Sequence, residues 1–241
     1  MLFRQLFDHE SSTYTYLLAD EATHEAALID PVLEQAERDL EIVNEFGLTL
    51  VHVLDTHVHA DHVTAATRLR EKTGARTVAG RAGPDCADVH VGDGDIVRVG
   101  GVALRVLATP GHTDDSVSYL LLDPLHLDIP GDRVFTGDAL LIRAAGRTDF
   151  QNGDAGRLYD SITEALFTLP DSTLVYPAHD YRGRTVTTIG EEKRLNARIA
   201  GRSRDEFIAV MNALHLPDPK RILEAVPANR ECGRTALQIQ V

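Results

Sequence analysis

The chain has two cysteines, no tryptophan and no apolar run long enough to cross a membrane. With only Cys86 and Cys232, and no C-x-x-C pair, a thiolate zinc site is excluded and a disulfide framework is not expected. Both thiols are therefore expected free, as in a reducing cytoplasm. The stretch Met1-Leu2-Phe3-Arg4-Gln5-Leu6-Phe7-Asp8 lacks a sustained apolar core, so neither a secretory signal nor an Arg-rich organelle leader is read there. Basic residues are in the minority, with 24 Lys and Arg against 37 Asp and Glu and a net charge of −13. That balance disfavours nucleic acid and anionic membranes as partners. It leaves the substrate open, because a pocket can be locally basic on an acidic protein. The absence of tryptophan excludes nothing about function.

What is present is ordinary globular matter. At 241 residues and 43% hydrophobic, the chain can build one domain with a sizeable core. The pattern is mixed α/β. Strands are predicted at 14–19, 25–29, 50–54, 77–79, 95–99, 103–107, 117–122, 133–136 and 173–176. Asp30-Pro31 reads as an N-cap with proline at the first helical position, and Leu33, Ala36, Leu40, Val43 and Phe46 follow at helical spacing. A second helix is predicted from Val63 to Lys72, closed by Gly74, and a third behind Asp154 with Leu158, Ile162, Ala165 and Leu169 on one face. The insert Asp123 to Asp132 reads as an exposed loop. From Glu191 the chain is helical, with a capping box at Ser203 and Glu206. Residues 1–241 are read as a single domain, with 190–241 as a helical C-terminal cap.

Chemistry concentrates in Thr56-His57-Val58-His59-Ala60-Asp61-His62, directly after an apolar strand. On extended backbone His57 and His59 face the same side, and a turn at Ala60 brings Asp61 and His62 back toward them. Imidazole and carboxylate are ligands for borderline metals such as zinc and iron. Three further strands end in a turn bearing a ligand type: Thr109-Pro110-Gly111-His112, Thr136-Gly137-Asp138 and Pro177-Ala178-His179-Asp180. One Gly-His or Gly-Asp is usually a turn. Four ligand-bearing strand ends point to one convergent site. His9, His24, His90, His126 and His215 sit in polar surroundings and read as surface residues, and His52 as a core histidine.

His57-Val58-His59-Ala60-Asp61-His62, followed by His112, Asp138 and His179, resembles the metallo-β-lactamase superfamily. The resemblance covers roughly Leu6 to Tyr181. It implies a four-layer αββα sandwich, here with a short helical C-terminal extension. All seven ligands of a dinuclear site are present, which by itself suits a glyoxalase II-type hydrolase of glutathione thioesters. The flanking segments resemble another member, the persulfide dioxygenase (sulfur dioxygenase) family. These are Thr136-Gly137-Asp138-Ala139-Leu140-Leu141-Ile142-Arg143, Gly146-Arg147-Thr148-Asp149-Phe150-Gln151, Tyr176-Pro177-Ala178-His179-Asp180-Tyr181, and Leu216-Pro217 with Val226-Pro227-Ala228-Asn229.

That resemblance implies one Fe(2+) per chain on His57, His112 and Asp138, a two-histidine-one-carboxylate triad that leaves positions open for sulfur substrate and dioxygen. His59, Asp61, His62 and His179 then orient ligands, or alternatively hold a second metal. It implies oxidation of glutathione persulfide by O2 and water to sulfite and glutathione. Arg147 is expected to grip the glutathione moiety, with Tyr181 beside it and Arg143 as a further contact or a surface ion pair. A non-catalytic metal-binding or redox-sensing module is the remaining alternative. Related proteins are often homodimers, and no rhodanese segment is fused here, so a sulfurtransferase partner is expected as a separate chain.

Overall fold

The computed structural model describes residues 1–122 and 130–234, and they divide into two compact units. The first comprises Met1–Val91, Arg98–Val102 and the C-terminal stretch from Pro217. Its sheet runs in sequence order: β1 (Leu2–Asp8), β2 (Thr13–Ala19), β3 (Glu25–Ile29), β4 (Thr49–Leu54), β5 (Arg76–Gly80) and β6 (Val89–Val91). The first three strands pair antiparallel, and β3 to β6 pair parallel. All seven residues of β2 are buried, as befits a strand covered on both faces. β1 and β6 are additions to the predicted strands. The core gathers Leu17, Leu28, Leu50 and Val53 from the sheet with Leu40 of α1 (Ala36–Glu45) and Leu69 of α2 (Ala66–Thr73).

Two helix starts differ from expectation for the same reason. Asp30 is not an N-cap. Its φ is 51°, a 3-10 turn at Leu33–Gln35 precedes α1, and its carboxylate takes donors from the loop after β4. Likewise α2 starts at Ala66 rather than Val63, because Val63 O accepts Leu33 N–H and Thr67 N–H goes to Cys232 O, so the first helical bond is not made; Thr64 N–H is taken by Asn229 of α6 (Ile222–Asn229). Tertiary partners outbid local capping at both sites. The end of α2 follows local rules: Gly74 is left-handed, with φ 77°, and its N–H closes on Arg70 O.

Cys86 and Cys232 are not free thiols. They form a disulfide across 146 residues of sequence, with Cα atoms 6.0 Å apart. Sequence spacing carries no information about that distance. The β5–β6 connection and the end of α6 meet within this unit, inside the range that a disulfide spans.

The second unit comprises Gly92–Val97 and Ala103–Leu216. The second sheet has the order β12 (Thr187–Thr188), β11 (Leu174–Pro177), β10 (Pro130–Gly137), β9 (Val117–Leu122), β8 (Val102–Ala108) and β7 (Ile96–Val99). β8, β9 and β10 pair antiparallel, while β10 and β11 run parallel. The predicted insert loop and His126 lie largely outside the described residues, although 130–132 already belong to β10. Asp154 caps α3 (Ala155–Asp160) as predicted. A π-helical turn follows at Ser161–Leu166, where Phe167 N–H reaches Ile162 O. The wider turn moves the buried face from Ala165 to Leu166. α4 (Ile189–Leu195) and α5 (Arg204–Asn212), the latter with the Ser203–Glu206 capping box, complete the unit. Phe207 of α5 packs in its core beside Leu158 and Ile162, whereas α6 belongs to the first unit. Among the described residues no helix is long and apolar enough to cross a membrane.

One core carboxylate makes stability depend on pH. Asp39 of α1 is fully buried; its Oδ1 accepts two bonds from Arg38, while Oδ2 has no partner among the described residues. Burial outweighs the Arg38 charge and raises its pKa to about 6 from 3.8. The folded state thus holds this proton longer than the unfolded chain. Its contribution is full below about pH 4 and is lost as pH rises through about 6, by up to about 3 kcal/mol. Asp39→Asn is expected to flatten that component. Urea midpoints at pH 4.5 and 7 should fall closer together in the variant than in wild type; equal spacing would refute the assignment.

Candidate metal centre

In the first unit the candidate residues lie in the loop after β4. β3 and β4 are parallel with Ile29 opposite Leu54, so Asp30 and the loop start leave the sheet side by side. Asp30 Oδ1 accepts Thr56 N–H at 2.7 Å, and Oδ2 accepts the Thr56 hydroxyl at 2.9 Å. A carboxylate only accepts, so the Thr56 hydroxyl proton is committed to Asp30. Thr56 Oγ1 also lies 3.0 Å from His57 Nδ1, which must therefore be the donor of that pair. With Nδ1 as the donor, Nε2 is the nitrogen through which His57 would hold a metal.

The rest of the loop is equally enclosed. His57 is 4% exposed, while His59 and His62 are fully buried. The ring centres of His57 and His59 are 4.1 Å apart, and those of His59 and His62 are 4.4 Å apart. His59 Nε2 faces Asp30 Oδ1 at 3.1 Å, and His62 Nδ1 faces Asp61 Oδ2 at 2.8 Å. Burial disfavours charge on His59, but the Asp30 carboxylate prevails and lifts its pKa to about 9. His59, Asp61 and His62 present ligand atoms within 4.8 Å of one another, as do Asp30, Asp55 and His59.

In the second unit, taken by itself, the candidate residues follow the ends of three co-directional strands. β10 and β11 are parallel with Gly137 opposite Pro177, and Ala178 N–H bonds to Gly137 O. Asp138 and His179 therefore emerge together, and His179 Nδ1 lies 2.7 Å from Asp138 Oδ1. β8 is two antiparallel steps from β10, so it points the same way and His112 follows its end. His112 Nδ1 lies 2.6 Å from the carbonyl of Arg147 and must donate to it. The Nε2 lone pair of His112 then faces Asp138 Oδ2 at 3.6 Å. Two acceptors facing each other repel unless a proton or a metal cation lies between them. Ligand bonds of about 2.0–2.2 Å from each fit that gap. The donor set thus suits a divalent ion such as iron or zinc.

Gly146 is part of this construction. Its N–H bonds to Asp138 O at 2.7 Å, and an added Cβ would fall 2.3 Å from Asp138 O and 2.8 Å from the His112 ring. Only glycine lets this stretch of chain pass against both Asp138 and His112.

The predicted substrate contacts are placed less uniformly. The Arg147 guanidinium makes a two-point pair with Asp149 and lies 4.8 Å over the Phe150 ring. Tyr181 is 72% exposed and stacks parallel to His179, with centres 6.1 Å apart. Arg143 is an ion-pair residue, bonded to Glu191, to the fully buried Glu192 and to Thr187. It nevertheless borders a cavity of about 260 Å³ whose wall includes Ile142, His179, Tyr181 and Arg184. Sequence reasoning gave Asp30, Gly146 and Asn229 no role at the site. Asp30 had a usable signal, since it too ends a strand next to the ligand-bearing one.

A profile of the metallo-beta-lactamase superfamily matches residues 10–83. The mitochondrial persulfide dioxygenase ETHE1 of Mus musculus is 50% identical over 97% of this chain and 89% of its own length. The crystal structure of ETHE1 from Myxococcus xanthus is 66% identical, covers 97% of this chain and all of that one, and superposes with a TM-score of 0.92. The chain belongs to the persulfide dioxygenase family. A metallo-beta-lactamase from Staphylococcus aureus, 29% identical over 95% of this chain and 71% of its own, has a TM-score of 0.87. The fold is accordingly the metallo-β-lactamase fold, α/β with two mixed sheets. Membership in the persulfide dioxygenase family agrees with the flanking segments around Asp138, Gly146 and His179 on which the sequence resemblance rested.

Gly146→Ala is expected to lower metal affinity about 10- to 100-fold, by pushing His112 away from Asp138. Metal retention against a chelator, with circular dichroism as a folding control, reads this out. Undiminished retention would show that the backbone yields at no cost to the ligands.

Proposed function

We propose that the chain is an iron-dependent persulfide dioxygenase acting on glutathione persulfide. In the balanced reaction, glutathione persulfide, O2 and water give glutathione, sulfite and two protons. The support is the 50% identity to a protein of that name over nearly the whole chain, together with ligand nitrogens already oriented for a metal.

In this reading His57, His112 and Asp138 hold one ferrous ion. When bound, the ion supplies the redox chemistry and the open positions that sulfur and dioxygen need. The protein does the rest. Thr56 and the Arg147 carbonyl keep His57 and His112 in the tautomer that offers Nε2. His179 holds one oxygen of Asp138, leaving the other toward His112. Arg147 and Tyr181 take the glutathione moiety, Arg147 by exchanging its bond to the exposed Asp149 for a substrate carboxylate. Arg143 shapes the neighbouring cavity wall through its ion pairs. With this go a single domain spanning 1–241, a cytoplasmic location, a homodimer and a separate sulfurtransferase that supplies persulfide. The Cys86–Cys232 disulfide counts against that location, because a reducing compartment keeps thiols unpaired.

A second reading has one observation in its favour. His59, Asp61 and His62 could take a second ion, as a dinuclear glyoxalase II-type hydrolase requires. Dioxygen consumption by ferrous-loaded enzyme with glutathione persulfide separates the two. Uptake with one iron per chain is expected, and His57→Ala should lose most of that iron. No uptake, two metals per chain and rapid thioester cleavage would establish the hydrolase instead.

Arg147→Ala is expected to raise KM for glutathione persulfide about 10- to 100-fold and leave iron content unchanged. The backbone carbonyl that orients His112 survives the substitution. Loss of iron in this variant would show that the side chain serves the metal and not the substrate.

A further inference from the structure

Val226-Pro227-Ala228-Asn229 marked the family in sequence, yet none of it enters the ligand set. The first unit gives Asn229 a task. Its side chain is 3% exposed at the end of α6 and is engaged in both directions. Nδ2 donates to His59 O at 2.9 Å and to His62 O at 2.8 Å, and Oδ1 accepts Thr64 N–H at 2.9 Å. One amide thus ties together the three main-chain groups that close the ligand loop. No other common side chain of this size offers two donors and an acceptor in one plane.

The residues around Asn229 hold it there. Ala225 and Ala228 of α6 pack on Val63. The carbonyl of Cys232 accepts Thr67 N–H at the start of α2, and a Cβ on Gly233 would fall 2.2 Å from Thr64 O. Arg221 pairs with Glu34, and the Cys86–Cys232 disulfide fastens the end of the segment. Below the amide, Thr64 Oγ1 bonds to Asp55, so the loop is anchored at its base as well.

We propose that Asn229 is a positioning residue for the metal centre: it clasps residues 59–64 in the one turn that seats the His59 ring 4.1 Å from the ring of His57, the loop's ligand in that reading. It touches neither metal nor substrate. The proposal rests on the metal-site reading above, and it adds a C-terminal residue, 167 positions beyond His62, to the machinery of that loop. An alanine here would remove all three bonds at once and release residues 59–64 from α6. Asn229→Asp is the sharper change. It keeps the acceptor for Thr64 and turns the donor toward His59 and His62 into a third oxygen.

The test uses the whole chain with ferrous ion and with cobalt(II) as a spectroscopic probe. Wild type must first bind metal; if it does not, the metal-site reading fails before Asn229 is at issue. Given binding, Asn229→Ala and Asn229→Asp should retain metal about 10- to 100-fold less well against a chelator. They should also shift the cobalt visible bands while keeping the wild-type circular dichroism. Native affinity and an unchanged cobalt spectrum in a folded variant would overturn the proposal and leave Asn229 a stability residue. Should the alanine variant not fold, Asn229→Asp carries the comparison. Hydrogen exchange on metal-free wild type gives an arm that needs no variant: the Thr64 amide should be among the slow ones, and fast exchange there would refute the clasp.

Discussion

A buried imidazole can serve a metal only if its other nitrogen is tied to something. That constraint organises this protein. His57 is tied through Thr56 to Asp30, and His112 to the carbonyl of Arg147. Without those partners the rings could flip or take the other tautomer, and a lone pair would point at protein rather than at an ion. Much of the surrounding structure supplies them. Asp30 gives up a helix cap to hold Thr56, and Gly146 gives up a side chain so that the chain can pass against His112 and Asp138.

Sheet geometry explains how groups so distant in sequence can be held so closely. Parallel neighbours end at the same edge, so β3 and β4 deliver Asp30 beside Thr56, and β10 and β11 deliver Asp138 beside His179. A strand end is rigid because its hydrogen bonds continue into the sheet. A residue one or two positions beyond it inherits that rigidity while its side chain stays free to do chemistry. The ligands therefore begin from fixed backbone, and the hydrogen bonds around them need only set ring orientation.

The C-terminal stretch shows a different economy. α5 joins the core of the second unit through Phe207, while α6 belongs to the first and brings Asn229 to the ligand loop. Helices that the sequence presents as one terminal cap are divided between two units. The disulfide at Cys232 fits that arrangement, since it fastens the segment that carries Asn229 to the β5–β6 connection. Arg143 shows the complementary case, a basic residue near the cavity whose charge is spent on Glu191 and Glu192.

The sequence by itself determined the family and which histidines and aspartates end up in turns after strands. Histidines and aspartates in turns after apolar strands are local patterns, and local patterns survive without a structure. It also located most strands, the Gly74 stop, the Asp154 cap and the Ser203–Glu206 box, because each depends on residues a few positions apart. Tertiary structure alone decided what those residues meet. Asp30 reads as a cap until β4 lies beside it, and Val63 reads as helical until Leu33 takes its carbonyl and Cys232 takes the Thr67 N–H. Cys86 and Cys232 read as free thiols until the fold brings their Cα atoms within 6.0 Å. The turn at Ser161–Leu166 moves burial from Ala165 to Leu166 because one extra residue per turn is invisible in an apolar pattern. In every one of these cases the deciding partner lies far away in the chain or in the geometry of a single hydrogen bond, and residue spacing encodes neither.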